Sequence, residues 1–255
     1  MNDEVVLQER RGAILTITIN RPDQRNAVNA AVAHGIAAAL DRLDDDDGLS
    51  VGVLTGAGKG FCAGMDLKAF ATGERQHVGD RGFAGISQRA SRKPLIAAVE
   101  GFAVAGGLEI ALACDLIVAS RGARLGVPEV KRSLVPAGGG LLRLPRVLPR
   151  NIAVEMALTG DTIEAERAHQ LGLVNRLTEP GKALSVALEL AETIAANAPL
   201  ALVAAKRILL ESADWPDREF FARQAEIADP LFASEDAREG ARAFAERRAP
   251  VWKGE

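Results

Sequence analysis

PLIAAVEGFAVAGGLEIALACD, residues 94–115, decides how the rest of the chain is read. Pro94 opens it, and the apolar run Leu95–Val99 reads as a short buried strand. Glu100-Gly101 is a turn signal, Gly106-Gly107 follows, and residues 108–113 are good helix formers. Asp115 and a strand-like Leu116-Ile117-Val118 close the unit as strand, glycine turn, short helix, strand. A helix that begins at Gly106 aims unpaired N–H groups and the positive end of its dipole at whatever approaches the turn, which suits a developing oxyanion. Glu109, three residues on, sits about one turn along and reaches the same hollow. The same residues also describe a plain strand–helix junction with an acid in its first turn, and this stretch alone leaves both readings open.

Similar units lie on either side. Residues 4–8 and 13–19 alternate apolar and polar around Arg11-Gly12, a hairpin signal, and residues 20–23 form a loop. Residues 26–43 read as an amphipathic helix with Val28, Val32, Ile36, Leu40 and Leu43 on one face. The four acids 44–47 read as a solvated helix end. Residues 51–55 form a buried strand, and residues 56–60 turn into Phe61-Cys62-Ala63-Gly64-Met65-Asp66-Leu67. That loop lacks the third glycine of a dinucleotide fingerprint and the Ser or Thr of a P-loop.

Residues 68–93 have no clean period and are expected to be a mobile, partly helical segment over a site, or a plain surface connection. Beyond the central unit, residues 123–126 are extended and lead to Val127-Pro128-Glu129-Val130. Helices are expected at 141–147, 151–158 and 162–171, the last with Thr162 as N-cap, and a short strand at 173–177. From Gly181 on the pattern is helical, at 183–197, 200–212, 217–227 and 234–246.

Composition narrows the class. The 255 residues are 48% hydrophobic and 25% charged, with a net charge of −3, so neither nucleic acid nor an anionic membrane is an expected partner. Cys62 and Cys114 make no disulfide framework, and both are expected as reduced, buried thiols in a cytoplasmic protein. No run approaches a membrane span, and the charged N-terminus is no signal peptide. His34, His77 and His169 lack ligand spacing, so no metal site is expected.

Phe61-Cys62-Ala63-Gly64-Met65-Asp66-Leu67, Gly106-Gly107-Leu108-Glu109 and Pro128-Glu129, in this order, resemble the enoyl-CoA hydratase/isomerase (crotonase) superfamily. Leu158-Thr159-Gly160-Asp161, Gly172-Leu173-Val174 and the stretch from Arg238-Glu239-Gly240 to Arg247-Arg248 extend the resemblance nearly end to end. It implies an α/β fold, a crotonase-type spiral of ββα turns over residues 1–197, with a C-terminal helical oligomerisation domain over 198–255 that builds trimers or hexamers. It implies an acyl-CoA substrate and no separate cofactor, coenzyme A being part of that substrate. The oxyanion hole would be the amides of Ala63 and Gly106.

By the same resemblance Glu109 orients and activates water and Glu129 exchanges the proton at Cα. Two carboxyl groups can do both jobs on one face of a conjugated thioester if one is protonated. Each oxyanion donor is typically worth ~3 kcal/mol. Cys62, Gly64, Met65, Gly107 and Ala137 would line the substrate, the Ala137 amide helping to hold the water. Asp66 and Leu67 would border the adenine pocket. Arg25, with Arg21 and Lys59, could meet CoA phosphates, although each is also an ordinary surface cation. Phe244 and Arg247 would touch CoA from a neighbouring subunit.

Ala105 stands where many relatives have glycine, and Ala137-Gly138-Gly139-Gly140 departs from the common glycine-alanine-glycine-glycine-threonine run. In relatives that altered loop goes with branched, carnitine-like or polycyclic acyl groups rather than a simple short chain. With both glutamates present, hydration of a trans-2-enoyl-CoA to a 3-hydroxyacyl-CoA is the first expectation. A Δ-isomerase using Glu129 alone, or a dehydratase of a carnitinyl-like or polycyclic acyl-CoA, comes next. A silent acyl-CoA binder is the reading from another class.

Overall fold

The computed structural model describes residues 4–255. In chain order the strands are β1 (Val6–Arg11), β2 (Ile14–Ile19), β3 (Val51–Gly56), β4 (His77–Val78), β5 (Gly82–Phe83), β6 (Leu95–Val99), β7 (Phe102–Val104), β8 (Leu116–Ser120), β9 (Arg124–Gly126), β10 (Thr162–Glu164) and β11 (Arg176–Thr178). The helices are α1 (Ala30–Asp45), α2 (Leu67–Ala71), α3 (Gly106–Ala113), α4 (Gly140–Val147), α5 (Arg150–Thr159), α6 (Ala165–Gln170), α7 (Ala183–Ala195), α8 (Pro199–Glu211), α9 (Phe220–Phe232) and α10 (Glu235–Glu246).

A six-stranded sheet runs β1-β2-β3-β6-β8-β11, antiparallel only at the β1–β2 hairpin. Its central strands are almost wholly apolar, Thr55 and Ser120 aside, because both faces are covered. In β6, Leu95, Ala97 and Val99 join the larger core, while Ile96 and Ala98 face the second core against Ala183, Ala187 and Ala191 of α7. A smaller sheet, β10-β9-β7, stacks the second strand of each unit. Leu54, Ala97 and Ile117 are neighbours in the large sheet. Cys62, Ala103 and Leu125 are neighbours along the small one. The chain therefore climbs as a spiral, one strand to each sheet per turn, and each turn delivers its following loop to the same side.

Several expectations need correction. Helix α1 starts at Ala30, not residue 26, because Asn29 caps it by accepting from the Val32 amide while Val28 is drawn out to pair with Met65. Residues 162–164 are a strand paired with β9 rather than the first turn of a helix, and α6 begins only at Ala165. The pairing partner, distant in sequence, outweighs the local capping pattern. The short strand near 173–177 is confined to Arg176–Thr178. The helix expected at 217–227 is α9, which runs on through Pro230. Residues 68–93 are not a loose cover: β4 and β5 pair, and Arg81, Phe83, Ala84, Ile86 and Ser87 are buried.

Toward the C-terminus, α8 packs on α9 and α9 on α10. Lys206 of α8 reaches Asp115 and the Lys93 carbonyl, and Trp252 Nε1 donates to the Ala196 carbonyl. Among the described residues no single helix is long and apolar enough to cross a membrane.

Candidate active site

The loop after β3 and the start of α3 meet at the same end of the spiral. Gly64 has φ +88, and a Cβ there would stand 2.8 Å from the Gly106 nitrogen, so only glycine lets the two backbones close up. The loop is pinned from behind. Asn26, buried and left-handed (φ 55), donates through Nδ2 to the carbonyls of Ala57 and Gly60 and accepts from the Arg21 amide. Nothing in the sequence singled Asn26 out, because its function is set by partners more than 30 residues away.

The amides of this loop divide sharply. Ala63 donates to the Arg25 carbonyl at 3.1 Å, and Gly64 to Cys62 Sγ at 3.3 Å. Among the described residues, the amides of Met65 and Gly106 have no protein acceptor. The Ala63 amide expected at an oxyanion hole is thus already engaged, and Met65, two residues on, presents the free one. The left-handed turn at Gly64 produces this alternation, which a motif read as letters does not display.

Glu109 is 3% exposed on the first turn of α3. Its Oε1 accepts from the Gly140 amide at 2.8 Å, so the amide that grips it is Gly140's. Ala137, expected to help with the water, lies on the exposed part of that loop. A Cβ on Gly138 would sit 2.7 Å from Glu109 Oε2, and the glycine run lets the loop lie flush on the carboxylate. Burial pushes the Glu109 carboxyl up, against the Gly140 and Gly138 peptides and the charge of Arg143, which pull it down.

Glu129 comes from a 3-10 turn, Pro128–Arg132, that follows β9. It is half-buried, and its Oε2 is buried without a partner. Burial first, and the charge of Glu109 second, raise it to about 7, while its own amide and Arg132 oppose. Two carboxyl groups from different turns of the spiral therefore feel each other, one anchored and one unsatisfied.

The remaining candidates are placed as follows. Cys62 is fully buried and its thiol is pushed up to about 12, leaving it a packing group and an acceptor for the Gly64 amide. Gly107 is buried against the Cys62 backbone. Asp66 caps α2 by accepting from the Lys68 and Ala69 amides, and it pairs with half-buried Arg21 at 3.0 Å. Arg21 is therefore not a free surface cation, whereas Arg25 and Lys59 are exposed and Leu67 is partly so. Phe244, 88% exposed, and Arg247 lie on and just beyond α10, which packs against α9 rather than beside the two glutamates. Sequence reasoning missed Arg143 on α4, whose guanidinium donates to the carbonyls of Gly138 and Ser87.

Comparison with known proteins covers almost the whole chain. The family model described as enoyl-CoA hydratase/isomerase matches residues 9–255. The enoyl-CoA hydratase EchA19 of Mycobacterium tuberculosis is 45% identical over 251 residues, 96% of this chain and 94% of that protein. A carnitinyl-CoA dehydratase of Salmonella typhi is 43% identical over 253 residues, 96% and 97% of the two chains. The crystal structure of enoyl-CoA hydratase EchA1 from Mycobacterium marinum superposes with a TM-score of 0.98 at 60% identity, covering 99% of this chain and 100% of that one.

Proposed function

The chain belongs to the enoyl-CoA hydratase/isomerase family, and on that footing we propose that it is a hydro-lyase adding water across the 2,3 double bond of a trans-2-enoyl-CoA. One observation carries the reading: Glu109, held on the Gly140 amide, faces a second glutamate whose Oε2 is buried and unpaired. An unsatisfied carboxyl oxygen beside a like charge is costly to fold and useful to catalysis.

In this mechanism the thioester oxygen rests on the free amides of Met65 and Gly106, which take up the charge of the enolate. Ionised Glu109 accepts a proton from water as its oxygen bonds to Cβ. Glu129, which near pH 7 is still partly protonated, delivers its proton to Cα. Afterwards Glu109 carries a proton and Glu129 does not, and exchange with solvent restores both. No cofactor beyond the CoA of the substrate is needed.

The Salmonella relative is named for a dehydration, so the reverse reaction on a carnitinyl-type thioester is the second substrate to try. Phe221, Phe232, Phe244 and Leu209 are strongly exposed apolar residues of the C-terminal helices, which supports a trimer or hexamer in which Phe244 and Arg247 serve a neighbour's CoA. We place the enzyme in the cytoplasm.

The test is ultraviolet absorbance with crotonyl-CoA and a panel of longer and branched enoyl thioesters. Hydration bleaches the conjugated thioester. Appearance of that band from 3-enoyl thioesters, with no bleaching of 2-enoyl ones, would replace the hydratase by an isomerase. Tight binding without turnover would leave only an acyl-CoA binder.

A further inference from the structure

Resting on the two-acid reading above, we propose that Arg143 is a positioning residue that keeps Glu109 ionised, so that Glu129 is the member of the pair that carries the proton. The geometry is specific. Gly140, whose amide holds Glu109 Oε1, opens α4, and Arg143 follows three residues later on the same helix face. Its Nη1 donates to the Gly138 carbonyl at 3.2 Å and its Nη2 to the Ser87 carbonyl at 2.7 Å. The peptide gripped on one side by the guanidinium is the one pressed on the other side against Glu109 Oε2. Gly139, at φ +97, leaves the room: a Cβ there would collide with Nη1.

Arg143 is half-buried, and among the described residues it makes no ion pair. Arg10, Arg21, Arg81, Arg89 and Arg248, by contrast, each sit on a carboxylate. A half-buried guanidinium with both hands on carbonyls has its charge left over for what lies behind them. That is Glu109, whose charge in turn favours the protonated guanidinium against its burial.

The groups around the site are few. Glu129 and Arg132 face it from the Pro128–Arg132 turn, Arg143 and Arg146 come from α4, and buried Cys114 lies just past α3. Arg143 is the cation that pulls Glu109 toward its charged form, whereas Arg132 acts on Glu129. Removing the Arg143 charge lets Glu109 hold its proton to higher pH. It also relieves the negative field on Glu129. The two acids then converge and the division of labour is lost.

The experiment compares the whole enzyme with Arg143→Gln and Arg143→Lys. Two readouts are taken: the pH profile of kcat/KM for an enoyl thioester, and the ¹³C carboxyl titration of Glu109, assigned by its loss in Glu109→Gln. In Arg143→Gln the Glu109 titration should move up by about one pH unit or more. On the acid limb of the profile, below the Glu109 titration of both enzymes, the rate should fall about tenfold for each unit of that shift. Arg143→Lys should fall between this variant and the wild type. A Glu109 titration that stays in place, with a rate loss equal at every pH, would make Arg143 a structural brace and overturn the proposal. Should Arg143→Gln fail to fold, the neutral Arg143→Met takes its place, and an unshifted Glu109 there has the same force. If no enoyl thioester turns over, the hydratase reading fails while the titration still decides on Arg143.

Discussion

Helix α3 has a bonded carboxylate at each end, Glu109 buried and Asp115 open to solvent on one side, and the two are treated in opposite ways. Beyond its C-terminus, Asp115 Oδ2 accepts from the Leu95 amide at 2.7 Å and from Lys206 Nζ at 2.6 Å, and Lys206 also donates to the Lys93 carbonyl at 2.9 Å. Burial pushes Asp115 up and Lys206 pulls it down. At the N-terminal end Glu109 has one amide and a second acid for company. A carboxylate bonded to the buried Lys206 ammonium fastens α8 to the sheet; a buried charge set against its like is a reactive group.

The comparison breaks first at activity. Glu109→Gln keeps the side-chain shape and the Gly140 bond but removes the base. It should lower kcat by at least about 100-fold with little change in KM and no loss of thermal stability. Glu129→Gln should cost turnover similarly. If steady-state kinetics find either mutant near wild type, the acid pair is not the engine.

At the other end the effect should appear in stability. Lys206→Met leaves Asp115 without its cation and the Lys93 carbonyl without its donor, and with Asp115 partly solvated it should cost about 1–3 kcal/mol in urea unfolding, with turnover per folded molecule nearly intact. Adding Asp115→Asn, which can still accept from the Leu95 amide, should recover most of the loss. A double mutant no better than the single would mean that Lys206 acts by packing its alkyl chain rather than by charge.

A smaller effect links pH to the reactive end. Glu129 holds its proton to about pH 7 in the folded chain, against an ordinary value of 4.5. Between those values the folded state binds more protons than the unfolded one, so this group's contribution falls as pH rises. With allowance for solvent screening at a half-buried site, Glu129→Gln should be more stable than wild type by about 1–2 kcal/mol at pH 8. Below about pH 4.5 the difference should vanish. Equal stabilities at both pH values would place Glu129 in ordinary solvent and remove it as the acid.

How far the sequence foretold this depended on where each feature's partners lie. Residues 94–115 announced their strand, turn and helix because apolar runs and glycines act locally, and Glu109 was legible as an acid one turn from a free helix end. Residues 162–164 were misread because a strand is made by its neighbour, here β9. The hairpin around residues 77–83 gave no periodic signal because each of its strands is only two residues long. Met65 lies within the motif that carries the resemblance, which assigns the oxyanion amide to Ala63. Which amide is free follows from the left-handed Gly64 and from the Arg25 carbonyl, neither of which is visible in the letters. Arg143 looked like one cation among many, since its importance comes from the carbonyls it grips.

The smallest effect sits where the two ends of α3 differ in backbone. Cys114, closing the helix, is relaxed (φ −78, ψ 161), whereas Ala105, opening it, has φ 53 and ψ −133, a region that suits glycine almost alone. Its amide is tied to the Gly126 carbonyl at 2.9 Å, and its own carbonyl takes the amides of Leu108 and Glu109, so the peptide is held by bonds on both sides. Ala105→Gly should therefore relieve strain. Less the packing of one methyl and the added freedom of glycine in the unfolded chain, the gain should be about 1 kcal/mol in urea unfolding. The Gly106 amide keeps its direction, so kcat should change by less than about twofold, a difference small against the ~3 kcal/mol an oxyanion donor supplies. A loss of stability would show that the methyl packs more than it strains. A large fall in kcat with stability unchanged would show that the strain itself aims the Gly106 amide, making the chemical end of the helix dependent on a conformation the other end never adopts.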